Sequence, residues 1–143
     1  MKNQRSILGV ILSGAETVIG IAMVGSVKLW APVCPAMLEL ASGKQVHMKC
    51  FYTGQTLVLL GLLLIVNGIA QFLLNRKLFG GVISAMIGVL AILLVSSSPL
   101  GIGICLKAEM ACHATASWAR LLGGAAIVTG AASIFTGAKS ELN

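Results

Sequence analysis

The stretch "GQTLVLLGLLLIVNGIAQFLL" at 54–74 contains 21 consecutive residues without a charge. A helix needs about 20 residues of this kind to cross the hydrocarbon core of a bilayer. Runs of similar character occur at 7–27, 78–104 and 117–137, and the charges inside them are Glu16 and Arg120. The runs lack the alternation that is typical of a membrane β-strand. The sequence therefore predicts an all-α integral membrane protein with four transmembrane helices, the third of which should end near Ser98 because Pro99 follows.

The amino-acid composition also indicates a protein that is surrounded by lipid. Hydrophobic residues form 57% of the chain and charged residues 10%, whereas soluble domains carry about 25% charged residues. A chain of this kind has no polar surface for folding in water, so its expected surroundings are the lipid bilayer. The net charge of +6 is divided between the two membrane faces and fits lipid headgroups. Nucleic acid is not expected as a partner.

The pattern Met-x-Cys-x-x-Thr occurs twice, in "MKCFYT" at 48–53 and in "MACHAT" at 110–115. A shift of 62 residues lays 48–70 on 110–132 without a gap, and a shift of 71 residues lays 5–34 on 76–105. We interpret the chain as two tandem repeats, 5–75 and 76–137, within a single membrane domain that covers 1–143. Each repeat is a helix, a cysteine loop and a helix. An even number of helices gives both repeats the same, parallel orientation.

The four cysteines lie in the loops that follow the first and third predicted helices. Four cysteines allow three pairings. We favour one bridge within each loop, because each bridge then closes its own hairpin and tolerates the difference in loop length. The predicted structural disulfides are Cys34–Cys50 and Cys105–Cys112.

Two features set the expected orientation in the membrane. Arg76 and Lys77 lie in the very short connection between the repeats, where the excess of basic residues on the cytoplasmic side is most reliable. Paired cysteines favour an oxidising compartment. We therefore expect both termini in the cytoplasm and the cysteine loops outside a bacterial cytoplasmic membrane.

The loops also admit two chemical alternatives. Four helices with a cysteine pair in each outer loop are the layout of quinone-linked membrane thiol–disulfide oxidoreductases, although the chain lacks the Cys-x-x-Cys spacing that speeds exchange. Copper handling is the other alternative, since thioether, thiolate and imidazole ligands suit Cu(I). Its candidate ligands, beside the cysteines, are His47, Met48, Met110 and His113. The first choice remains a protein with no catalytic residues and no cofactor.

Three polar residues lie inside the predicted spans, namely Glu16, Asn67 and Gln71. A charged carboxylate at a helix centre costs roughly 2.5–3.5 kcal/mol on insertion scales, so Glu16 requires a partner. Asn67 and Gln71 share one face of the second helix and are candidate neighbours. The 71-residue shift places Glu16 opposite Ile87, so the repeated fold does not itself require an acid there. Glu16 either makes a packing hydrogen bond within the bundle or contacts a partner subunit, and we favour the contact with a partner subunit.

The stretches "LWAPVCPAM" at 29–37 and "GKQVHMKCFYTGQ" at 43–55, followed by an apolar helix and "MACHAT", carry a resemblance. The chain resembles a family of small four-helix bacterial membrane proteins, the domain of unknown function 4418. The most specific residues are Cys34, Met48, Cys50 and Thr53. The resemblance implies a bacterial cytoplasmic membrane protein without an established activity, and loosely implies a companion of ABC-type exporters.

Small residues favour close helix packing within the chain and against other chains. The fourth run contains "LGGAAIVTGAASIFTGA" at 121–137, and small residues spaced by four let helix backbones approach one another in lipid. We predict a non-catalytic accessory or scaffold subunit of a bacterial membrane complex such as an ABC-type exporter. Its expected partners are other membrane proteins or further copies of itself.

Overall fold

The structure is a computed structural model that describes residues 2–34, 37–74, 76–104 and 111–142, the side chains of 2–6 excepted. Helix α1 covers Lys2–Gly25 and continues as a π turn at Ser26–Trp30, α2 covers Lys49–Leu74, α3 covers Lys77–Val95, and α4 covers Cys112–Glu141. Within the described residues these four helices are long and apolar enough to cross a membrane. The prediction of four transmembrane helices is confirmed, and the chain is a multi-pass membrane protein.

The loop between α1 and α2 contains a small antiparallel hairpin that the sequence analysis did not predict. Strand β1 is Met37–Glu39 and strand β2 is Gln45–His47, with Met37 opposite His47. Gly43 closes the turn with a φ of 76°, a left-handed conformation that glycine adopts without steric cost. The turn residues Ser42 and Gly43 were the available signal for this hairpin, but each strand is too short to show a period.

Helix α3 ends at Val95, three residues before the position predicted from Pro99. Ser96 has an extended backbone with ψ of 149°. Its hydroxyl donates to the Leu93 carbonyl at 2.8 Å and lies 2.9 Å from the hydroxyl of Ser98. Serine side chains compete with the helix for backbone groups in this way. Helix α3 therefore ends where the stretch "SSSP" at 96–99 begins.

The helices pack in the order of the chain, α1 on α2 and α3 on α4, and the contacts of α1 with α4 and of α2 with α3 close them into a ring. The described core lies inside this ring and takes residues from every helix. It includes Met23 of α1, Leu57 and Leu64 of α2, Ala91 of α3 and Ala126 of α4.

Glycines set the distance between the helices of each pair. A Cβ built on Gly20 would lie 2.7 Å from the carbonyl oxygen of Gly61, and one on Gly88 would lie 2.6 Å from that of Gly123. Contacts this short leave no room for a side chain. Since lipid provides no hydrophobic force between helices, close backbone contact is a main source of helix association in a membrane.

The buried faces of the helices recur at fixed offsets. Buried positions of α2 recur in α4 after 62 residues, as in Thr53 and Thr115. Buried positions of α1 recur in α3 after 68 residues, which differs by nearly one turn from the 71-residue shift read from the sequence. The matching buried pairs of α1 and α3 are Ser13 and Gly81, Glu16 and Ser84, Gly20 and Gly88, Met23 and Ala91, and Val27 and Val95.

Gly20→Ala should destabilise the protein, because the added methyl group would meet the backbone of Gly61. Overpacking typically costs about 1–3 kcal/mol, and thermal unfolding in detergent micelles should show a lower midpoint. Gly124→Ala is the matched control, since a Cβ there has no atom within 4 Å and alanine favours helix. Equal melting temperatures for the two variants would contradict the proposed importance of the Gly20–Gly61 contact.

Candidate functional site

Glu16 lies inside the helix ring, with none of its surface exposed. Gln71 of α2 donates its side-chain amide to one carboxyl oxygen of Glu16. Ser133 of α4 donates its hydroxyl to the other oxygen at 3.4 Å. A carboxyl group buried in an apolar bundle requires such partners, and these two tie α1 to both of its neighbours in the ring.

The polar cluster continues to α3 through Asn67 and Ser84. The Asn67 amide donates to the Ser84 hydroxyl at 2.8 Å and to the Gly80 carbonyl at 3.0 Å, and Ser84 also hydrogen-bonds Glu16. All four helices thus contribute to one cluster. Among the described residues, no buried side-chain nitrogen or oxygen lacks a hydrogen-bond partner.

These contacts correct two expectations about Glu16. The preferred role at a partner subunit is wrong, because the side chain is enclosed by its own chain. Gln71 is a direct neighbour, as expected, whereas Asn67 donates its amide to Gly80 and Ser84 of α3. The 68-residue offset of the buried positions places Ser84 of α3 opposite Glu16, and Ile87 lies nearly one turn further on. Sequence reasoning missed Ser84 and Ser133, although both are hydroxyl residues within otherwise apolar runs.

The threonines of the two Met-x-Cys-x-x-Thr patterns lie at the loop end of the bundle and make similar contacts. Thr53 donates its hydroxyl to the Gly103 carbonyl at 3.2 Å, and Thr115 donates to the Ala31 carbonyl at 2.6 Å. Each threonine therefore holds the loop of the other half of the chain. The repeated pattern positions each cysteine loop against the start of a helix in the opposite half.

The cysteines also make a contact between the two halves of the chain, and the predicted Cys34–Cys50 bridge within the first loop is wrong. Cys34 is a free thiol, so it is not bonded to Cys50. The Sγ atom of Cys34 instead lies 3.5 Å from Sγ of Cys112, the first residue of α4. Cys105, the predicted partner of Cys112, lies outside the described residues. The contact that the structure shows therefore joins the two halves of the chain.

A tryptophan pair extends this junction along α4. The rings of Trp30 and Trp118 are edge to face with centroids 5.8 Å apart. Cys112, Thr115 and Trp118 are spaced by three residues on one face of α4. All three contact the segment that follows α1, so this segment is fixed at successive turns of the helix.

The structure gives no support to the candidate copper ligands. Among the described residues, no group of three His, Cys, Asp or Glu side chains is placed to hold a metal ion. His47 stacks on Phe51 with ring centroids 4.4 Å apart. Met48 lies between β2 and α2, His113 is the second residue of α4, and Met110 lies outside the described residues.

Two replacements of Glu16 should distinguish the contribution of its hydrogen bonds to stability from the contribution of its size. Glu16→Gln should be nearly neutral, because an amide still bonds Gln71 and Ser133. Glu16→Leu removes the bonds to Gln71, Ser133 and Ser84 at about 0.6 kcal/mol each, the average for hydrogen bonds inside membranes, and should lower the melting temperature. Val18→Leu on the outer face of α1, where Val18 is 64% exposed, is the control. A Glu16→Leu protein as stable as this control would show that the cluster contributes nothing to folding.

The comparisons with known proteins agree with the resemblance seen in the sequence. Residues 16–136 match the family described as Domain of unknown function (DUF4418). No curated protein and no solved structure matches the chain. The matched range contains Glu16 and its partners and extends through both cysteine loops, and the chain belongs to this family of unknown function.

Proposed function

We propose that this protein is a non-catalytic accessory or scaffold subunit of a bacterial membrane complex, with an ABC-type exporter as the leading candidate. The observation that carries the proposal is a groove between α1 and α2 on the outer surface of the bundle. The groove has a volume of about 240 Å³, and its walls are apolar or small side chains, among them Val10, Gly14, Thr17, Gly68 and Phe72.

Gly14 distinguishes this groove from an ordinary lipid-facing surface. The backbone of Gly61 fills the space next to Gly20, and the backbone of Gly20 fills the space next to Gly61. A Cβ built on Gly14, in contrast, would have no atom within 4 Å. Glycine in a helix interior lowers helix stability by about 1 kcal/mol relative to alanine. At Gly14 no neighbouring part of the chain requires the absence of a side chain. A small residue at an open groove allows the backbone of another transmembrane helix to approach closely.

The same proposal includes a tandem duplication with parallel halves. Its support is the recurrence of buried positions after 68 residues in the odd helices and 62 in the even helices, together with the exchanged contacts of Thr53 and Thr115. The proposed topology keeps both termini in the cytoplasm and the cysteine loops outside, on the basis of Arg76 and Lys77 in the short connection.

Gly14→Leu should weaken the assembly without unfolding the chain. The leucine side chain would fill the groove and keep a partner helix away, while the melting temperature of the isolated chain should stay the same or rise. The measurement is the mass of the complex extracted from native membranes in mild detergent, with the partner identified by mass spectrometry.

Gly124→Leu on α4 is the matched control, because Gly124 is also open to a side chain and lies outside this groove. We expect the control to retain the complex and Gly14→Leu to lose it. A wild-type protein that is extracted as a monomer, or a complex that survives Gly14→Leu, would overturn the proposal.

A second candidate function, thiol–disulfide exchange, is favoured by the cysteines. Cys50 is disulfide-bonded, and Cys112 lines the same small cavity as Cys50, of about 10 Å³. The Sγ–H group of Cys112 points to Sγ of Cys34. A disulfide and a thiol pair thus lie next to each other at the loop end, an arrangement that allows exchange within one chain.

The exchange would balance without an external oxidant. The Cys112 thiolate would attack Sγ of Cys50 and displace the partner sulfur of Cys50 as a thiolate, which takes up a proton. The Cys34 thiolate would then attack Sγ of Cys112 and release Cys50. The result is a Cys34–Cys112 disulfide and two new thiols, so the chain has two redox isomers with the same number of electrons.

Disulfide mapping tests the proposed thiol–disulfide exchange and also the contact between Cys34 and Cys112, which joins the two halves of the chain. In protein whose thiols are blocked before the membranes are extracted, we expect one bridge per chain, which is Cys34–Cys112 in one redox isomer and the bridge of Cys50 in the other. Cys34→Ser should remove the first bridge, while Ser42→Ala in the hairpin turn should preserve it. Recovery of Cys34 bridged to Cys50 would contradict the structure. If reduced protein is not reoxidised by a quinone, the pairing is structural and the oxidoreductase candidate is excluded.

A further inference from the structure

We propose that the groove formed by the π turn and α2 binds one anionic phospholipid, with Lys28 contacting the headgroup phosphate. The groove has a volume of about 620 Å³, within the range of roughly 300–1,000 Å³ that is typical of ligand pockets. It lies on the outer surface of the bundle near the cysteine loops and is separate from the Gly14 groove and from the cysteine pair.

The groove has a polar end and an apolar end. Lys28, Gln55 and Thr56 lie on its walls near the loops, whereas Leu59 and Leu62 line the part that is deeper in the membrane. This order matches a phospholipid, whose phosphate lies at the interface and whose acyl chains enter the hydrocarbon. The wall along α2 from Phe51 to Leu62 is about 16 Å long at 1.5 Å per residue, close to one leaflet of a hydrocarbon core about 30 Å thick.

The π turn explains how the lysine reaches this position. The Ala31 N–H donates to the Ser26 carbonyl at 2.8 Å across the widened turn, and such turns are frequent at functional sites. Val27 is buried in the core, and the next residue, Lys28, is exposed on the groove wall. Gly54 forms part of the wall, where a Cβ would lie 2.8 Å from Val33.

Charge selects an anionic lipid over a neutral one. Lys28 is the charged residue among those lining the groove. The described acidic residue nearest in sequence, Glu39, accepts a hydrogen bond from Gln45 in the hairpin and does not line the groove. An ammonium group at the level of the headgroups attracts the net negative charge of an anionic lipid, which phosphatidylcholine lacks because its choline cation offsets its phosphate. The Gln55 amide offers a second donor to the phosphate.

The test is native mass spectrometry of the purified full-length protein with dioleoyl phosphatidylglycerol or dioleoyl phosphatidylcholine. Wild type should retain one phosphatidylglycerol in preference to phosphatidylcholine. Lys28→Gln should weaken phosphatidylglycerol binding about fivefold, the factor that corresponds to roughly 1 kcal/mol for one basic residue near the membrane surface. Lys44→Gln in the hairpin turn removes the same charge outside the groove and should leave binding unchanged.

A second variant tests the apolar end. Leu59→Trp keeps Lys28 and should fill the groove, since Leu59 is 57% exposed on its wall, so it should weaken both lipids. Soluble glycerol phosphate should not displace the bound lipid, because it lacks the acyl chains. Equal retention of the two lipids, equal losses for Lys28→Gln and Lys44→Gln, or full binding by folded Leu59→Trp would each overturn the proposal.

Discussion

The carboxyl group of Glu16 is the constraint on which the arrangement of the helices depends. Lipid is as apolar as the helix surfaces, so apolar side chains alone do not determine which faces turn inward. A buried carboxyl group does, because it must find donors within the protein. Gln71 and Ser133 supply them from α2 and α4, and Asn67 extends the cluster to α3 through Ser84. Rotation of any of these helices would break a bond that lipid cannot replace.

The loop end is held by a different device, in which each half of the chain positions the other. Thr53 bonds the backbone of the second loop and Thr115 that of the first. A helical hairpin that made only its own contacts could separate from its neighbour, because the apolar surfaces between the two gain little from association in lipid. The contacts between the two halves of the chain, including Cys34 with Cys112, join the segment that follows α1 to the first turns of α4.

The number of helices and their approximate bounds could be predicted from the sequence. Burying a charge in lipid is costly, so each membrane-spanning helix is recognisable as a long run of apolar residues. The cysteine pairing could not be predicted, since it depends on which loop lies over which helix and not on loop length. The side of α1 that carries Glu16 was also misjudged. Apolar residues surround the whole helix, so the pattern does not distinguish a lipid-facing side from a core-facing one. The 71-residue shift rests on nine identical residues, among them Cys34 and Cys105, and the 68-residue offset of the buried positions differs from it by three residues.

The two halves share their interior but differ on their outer surface. Gly14 of α1 and Lys28 of the π turn line two grooves whose α2 walls include Ile69 and Leu62, respectively. These two residues are seven apart, about two turns of α2, so both grooves lie on the same flank of the bundle. The 68-residue offset that relates the buried faces places Val82 and Ser96 at the corresponding positions of the second half. Neither reproduces the open glycine or the charge. If the interior is what a duplicated fold must keep, the outer face is where the copies are free to differ, and here both the proposed helix groove and the proposed lipid site are lined by residues of the first half. A lipid bound at Lys28 would then lie beside a helix docked at Gly14, so that lipid and partner would contact the same flank of α1 and α2.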